Sequence, residues 1–166
     1  MPLTYRPDGL GYGNLSYVPC GSWYSTADQN SLATNTEYIM TVNNTVFARD
    51  IVVVDGSKFT VSNTGLYNLQ FSAQVYNSDG GGGSAAMEIW LKKNGTTVPQ
   101  TGTRLSVTPN HPYVVASWNF YIELAVGDYV QLAWDTNTIG INLVKNTVIA
   151  PGSDIPSVIV TMNQVG

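Results

Sequence analysis

Short runs in which apolar and polar residues alternate, each tied to a turn residue at a fixed offset, restrict this chain to an all-β fold. In residues 66–76, Tyr67, Leu69, Phe71, Ala73 and Val75 alternate with Asn68, Gln70, Ser72 and Gln74. Recurrence at every second residue buries one side of a strand, whereas a helix requires recurrence at three and four. Further strands are expected over 22–25, 37–42, 47 with 51–54, 58–61, 86–91, 97–98, 114–124, 129–134, 139–143 and 157–162, about nine or ten in all. Asp55-Gly56 and Asn94-Gly95 read as two-residue hairpin turns. Gly65 and Gly127 read as turn positions open to positive φ. Asp79 to Gly83 and residues 107–113, the latter fixed by Pro109 and Pro112, read as connecting loops. No helix of useful length and no internal repeat is found.

The order of these motifs carries a family resemblance. Asp55-Gly-Ser-Lys-Phe-Thr-Val is followed by Gly65-Leu-Tyr-Asn-Leu-Gln-Phe-Ser-Ala. Ile89-Trp-Leu-Lys-Lys-Asn-Gly95 comes next, then Ile122-Glu-Leu-Ala-Val-Gly-Asp128-Tyr-Val-Gln-Leu. The series resembles the globular head of complement component one, subunit q, and the tumour-necrosis-factor jelly roll, over roughly the last two-thirds of the chain. The resemblance implies a jelly-roll β-sandwich of about ten antiparallel strands that assembles as a tight homotrimer. It also implies that Asn68, Gln70 and Ser72, with Gln131 and Ala133, face the three-fold axis.

Two domains are expected: an extended docking arm over 1–21 and the trimerisation head over 22–166. The first segment is rich in Pro and Gly and carries Tyr5, Arg6, Tyr12 and Tyr17 without sustained alternation. Such tyrosines offer large amphipathic contacts at low entropic cost, so the segment reads as an arm that contacts a capsid, against the alternative of a disordered tail. Gly9-Leu-Gly-Tyr-Gly13 lacks the strand and helix that make such a run a phosphate loop.

Charge narrows the function classes. Asp, Glu, Lys and Arg make up 11% of the 166 residues, with a net charge of −4, against ~25% in typical domains. Seven basic residues, never more than two together, make no phosphate-neutralising stripe, so no nucleic-acid partner is expected. A surface of Asn, Thr, Ser, Gln and Tyr suits packing against other copies. The amino-terminal residues have no charged-then-apolar leader and no stretch is long enough to span a bilayer. The reading is therefore of a chain made in a cytosol with no membrane partner.

Chemistry is sparse. One cysteine, Cys20, excludes a disulfide framework, and one histidine, His111, excludes poly-histidine metal sites. Calcium needs only oxygens, which Asp135 to Thr138 and Ser153-Asp154 would supply if they converged. Glu37, Glu88 and Glu123 sit in strand patterns where outward ion pairing is the default over glycoside hydrolysis. No catalytic residue, cofactor or metal is assigned, and no enzyme is expected. Without the stalk, anchor and paired cysteines of the secreted animal members, the resemblance points to a bacteriophage virion surface protein assembled in the host cytoplasm. The leading function is a capsid decoration, or cement, protein on the major capsid protein. The alternative is a tail- or head-fibre tip that binds a host-surface receptor or glycan, with residues 110–113 as its exposed aromatics.

Overall fold

The computed structural model describes residues 18–79, 85–108, 112–148 and 151–166. Among these there is no helix. The strands are β1 (Cys20–Ser25), β2 (Gln29–Asn30), β3 (Tyr38–Ile39), β4 (Asn44–Arg49), β5 (Ile51–Val54), β6 (Lys58–Val61) and β7 (Gly65–Asn77). They continue as β8 (Ala86–Lys93), β9 (Thr96–Thr97), β10 (Thr103–Ser106), β11 (Tyr113–Leu124), β12 (Tyr129–Thr136), β13 (Ile141–Leu143) and β14 (Val158–Gln164). They pair into two antiparallel sheets that form a sandwich.

The first sheet runs β11–β7–β14–β1–β4, with β13 and β2 extending the β14 and β1 positions toward one end. The second runs β10–β8–β12–β6–β5, with β3 continuing along β12 beyond β6, and β9 folding back on β8. This is an all-β sandwich of jelly-roll character. The alternating buried positions of both sheets meet in one core. From the first sheet come Trp23, Tyr67, Leu69, Phe71, Val160 and Met162; from the second come Phe59, Ile89, Leu91, Leu132 and Trp134. Trp23 meets Phe59 edge-on across the two layers at 5.2 Å between centroids, an arrangement that the ring quadrupoles favour.

Local turn chemistry fixes the hairpins. Asp55 and Gly56 have φ of 52° and 68°, and Asn94 and Gly95 have φ of 49° and 79°. Positive φ at both central residues matches the right-handed twist of the flanking strands. Gly127 is likewise left-handed at φ 84°.

Gly65 is a correction. It is not left-handed but opens β7, where an added Cβ would lie 2.2 Å from Gln164 Nε2 and 2.5 Å from the Gly166 carbonyl. Its missing side chain admits the segment after β14, whose Gly166 carbonyl accepts the Leu66 N–H at 2.8 Å.

Two other boundaries differ from expectation. The stretch expected as one strand around Phe47 and residues 51–54 is two strands in different sheets, because Asp50 at φ 56° turns the chain from the first layer to the second. Strand β1 takes in Cys20 and Gly21, two residues assigned above to the arm, and the Pro19 carbonyl already accepts the Gln164 N–H at 2.9 Å.

Candidate functional site

The outer face of the first sheet is built in cross-strand rows. Tyr121, Asn68, Asn163, Cys20 and Arg49 form one row, and Asn119, Gln70, Thr161, Ser22 and Phe47 form the next. Ser117, Ser72, Ile159 and Tyr24 form a third. Arg49, on the marginal strand β4, is the one charged side chain in these rows. Period-2 alternation places the rows outward because their neighbours Tyr67, Leu69, Phe71, Ala73 and Val75 fill the core.

Two amides bond across adjacent strands here. Asn119 Nδ2 donates to Asn68 Oδ1 at 3.1 Å, and Asn68 is buried. Gln70 stands exposed between Asn119 on β11, itself exposed, and the half-buried Thr161 on β14. Along β11 the outward Tyr113, Val115 and Tyr121 are 62%, 57% and 63% exposed, a large apolar share for a solvent-facing strand.

The adjoining edge is also apolar. Strand β11 has twelve residues while β10, the edge of the facing layer, has four. The inward side of β11 is therefore incompletely covered: Val114, Trp118, Phe120 and Ile122 pack on the core yet stay half-buried. Trp118 meets Phe71 edge-on at 4.7 Å, and its indole N–H has no hydrogen-bond partner among the described residues.

Asn68, Gln70 and Ser72 thus lie together on one face, in successive outward positions of β7. Gln131 and Ala133 do not join them. They point outward from β12 in the second sheet, on the opposite side of the sandwich. Ala133 is fully buried, with Trp90 and Ile39 in register on either side, and Gln131 Nε2 donates to Ser57 Oγ at 3.1 Å. Alternation tells which side of a strand faces out, but not in which layer the strand lies. Tyr5, Arg6, Tyr12, Tyr17 and His111 lie outside the described residues.

The outer face of the second sheet is charged and paired. Arg104 bonds Glu88 through its guanidinium, Lys92 pairs with Glu37, and Lys58 with Asp55 at 2.6 Å. Glu37 and Glu88 therefore take the ion-pairing role expected of them; Glu123 instead stands outward and exposed near the end of β11 in the first sheet, where its backbone carbonyl accepts from Lys93 Nζ at 2.9 Å.

Asp135 stands opposite Glu88, and its carboxyl is pushed above the usual range by burial first and by the charge of Glu88 second. The cleft at this pair encloses about 90 Å³, well below the roughly 300–1,000 Å³ of small-molecule sites. At the β11–β12 turn, the Asn94 amide, Lys93 and the Ala125 N–H hold Asp128 down to about 2. Asp135 and Asp154 lie on opposite sides of the sandwich, so the oxygens considered for calcium do not converge. Among the described residues no three His, Cys, Asp or Glu side chains gather as a metal site.

No protein-family model matches this chain, and no curated protein is similar enough to count as a relative.

Proposed function

We propose that this chain is a structural protein of a bacteriophage virion, a homotrimeric capsid decoration protein that cements the shell. The observation that carries the reading is the outer face of the first sheet on its β11–β7 side, uncharged except for Glu123 at its end and set beside an apolar edge. Burying Asn, Gln, Ser and Tyr against another subunit needs only exchanged hydrogen bonds, whereas burying ions costs several kcal/mol each in desolvation. A face and an edge are different surfaces, so their contact is head-to-tail and closes into a ring when the rotation allows.

In this reading Asn68, Gln70 and Ser72 lie toward the three-fold axis, while Gln131 and Ala133 lie outside it. The resemblance to trimeric heads found on phage particles supplies the rest by fold analogy. Tyr5, Arg6, Tyr12 and Tyr17 dock the head on the major capsid protein at the virion surface, with no catalytic step and no cofactor.

The test is to remove residues 1–17 and image purified particles. Aromatic and Arg anchors each contribute about 1–4 kcal/mol at interfaces, so the shortened chain should stay trimeric and lose attachment. Full occupancy by the shortened chain would refute the docking role, and a one-chain mass for the intact protein would refute the trimer.

A fibre tip is the second reading, favoured by the Tyr76 and Tyr113 rings at 4.6 Å. With Tyr113 exposed and Tyr76 half-buried, such a pair gives an apolar platform with polar tips for a sugar. Copy number per particle separates the two: high for a cement protein, low for a fibre tip.

A further inference from the structure

On its β1–β4 side, the outer face of the first sheet opens into a groove of about 450 Å³. Its floor includes Ser22 and Tyr24 of β1, Val46 of β4 and Ile159 of β14, and Lys145 and Asp154 stand in the β13–β14 connection that walls it. A two-residue antiparallel bridge, Asn146 with Ile155, shapes that wall through hydrogen bonds of 2.9 and 2.8 Å. This register makes Lys145 and Asp154 diagonal neighbours on one side of the bridge, roughly 7–8 Å apart. The Lys145 N–H is fixed by Asp28 at 2.8 Å, and Asp154 Oδ1 accepts the Val148 N–H at 3.3 Å. Neither side chain belongs to an ion pair among the described residues.

The chain leading into this floor carries the complementary pattern. Residues 1–17 hold two charged side chains, Arg6 and Asp8, on either side of Pro7. A proline disfavours helical backbone at the residue before it, and residues two apart on an extended chain project to one side about 7 Å apart. Spacing and sign both match Asp154 and Lys145. The flanking Tyr5 suits a floor of Tyr24, Val46 and Ile159. From Asp8 to Cys20 the tether spans on the order of 40 Å when extended, while Tyr24 lies about 14 Å along β1 from Cys20. A tether of this size gives a local concentration in roughly the millimolar range, which favours the chain's own arm over that of another molecule.

We propose that residues 5–8 dock in the groove of their own chain, with Arg6 against Asp154 and Asp8 against Lys145. Any surface that takes up the arm then has to displace this contact first.

Disulfide trapping in the full-length protein tests it without particles, so its outcome is independent of the decoration reading. In a Cys20→Ser background, Asp8→Cys with Lys145→Cys should oxidise to an intrachain bond roughly ten-fold faster than Asp8→Cys with Arg104→Cys on the opposite face. Equal rates, or bonds that join two chains, overturn the proposal. A second measurement needs no cysteines. Lys145→Glu with Asp154→Lys should accelerate chymotryptic cleavage after Tyr5 several-fold, and adding Arg6→Asp with Asp8→Arg should restore protection. Cleavage that is unchanged by the first pair, or not restored by the second, also overturns it.

Discussion

The two outer faces of the sandwich have the same backbone and opposite chemistry. On the second sheet, Lys58, Glu88, Lys92, Arg104 and Asp135 stand outward, and most are tied into ion pairs that water can reach. On the first, the rows from Tyr121 to Cys20 and from Asn119 to Phe47 hold amides, hydroxyls and aromatic rings. Inward residues make the two sheets fold alike, and outward residues separate a face suited to water from a face suited to a protein neighbour. Substitutions on either face test that contrast.

The largest effect is expected from adding charge to each face in turn. In the proposed trimer, Gln70→Glu brings three carboxylates together near the axis at a cost of several kcal/mol. Light scattering should show a fall from three chains to one. Thr60→Glu, outward on β6 of the second sheet, should leave the mass unchanged. A trimer that tolerates Gln70→Glu places the axis elsewhere.

Next comes the backbone of the first sheet. Gly65→Val forces a side chain against Gln164 and the Gly166 carbonyl, and overpacking of this kind costs about 1–3 kcal/mol. Calorimetry should show a lowered Tm. At Gly127 an added Cβ meets open space and only the left-handed φ resists it. Gly127→Ala should therefore cost about 1 kcal/mol, by strain alone. Equal losses at the two sites would contradict the close approach at Gly65.

A smaller effect is expected on the charged face. Arg104→Met removes an exposed partner of Glu88, and such pairs contribute about 0–1 kcal/mol. The change in denaturation midpoint should shrink further in high salt.

The least effect is a titration. The carboxyl of Asp128, depressed to about 2 in the folded chain, adds stability that is complete above its unfolded pKa near ~3.9 and lost as pH falls toward the folded value. Asp128→Asn should flatten the acid limb of the stability curve. Asp135, shifted upward, has the opposite sign: its contribution is present in acid and lost as pH rises through its folded value, so Asp135→Asn should not weaken the fold at neutral pH.

Much of the fold was legible because its signals are local. Asp55-Gly56 and Asn94-Gly95 announce their hairpins through residues that tolerate positive φ, and the alternation in 66–76 sets its core side correctly. What was not legible depends on distant chain. The clash that demands glycine at position 65 comes from residues a hundred positions later, and the switch of layers at Asp50 follows from the pairing of β4 with β1 and of β5 with β6. The site divides the same way. Asn68, Gln70 and Ser72 share one strand, so periodicity groups them, whereas Gln131 and Ala133 needed the sheet order to be excluded. Val115 and Tyr121 on β11 escaped the sequence reading, although the alternation of residues 114–124 already sets them apart from the inward Ala116 and Leu124; Tyr113, expected as an exposed loop aromatic, is exposed but opens the same strand.

The position of β14 bears on how the chain is made. It is the most carboxy-terminal strand, yet it lies in the interior of the first sheet, hydrogen-bonded to β7 on one side and β1 on the other. During synthesis β1 can pair with β4 as soon as residues 44–49 have emerged, but its other edge waits for β14 until residue 164 has been translated. The first sheet is therefore unable to close before β14 has been made, and the long loops that must then be gathered place folding in the slow, non-local regime of all-β proteins, roughly milliseconds to seconds. Until then the two strands that flank the gap expose unpaired edges, which makes the nascent chain most vulnerable to aggregation before β14 is added.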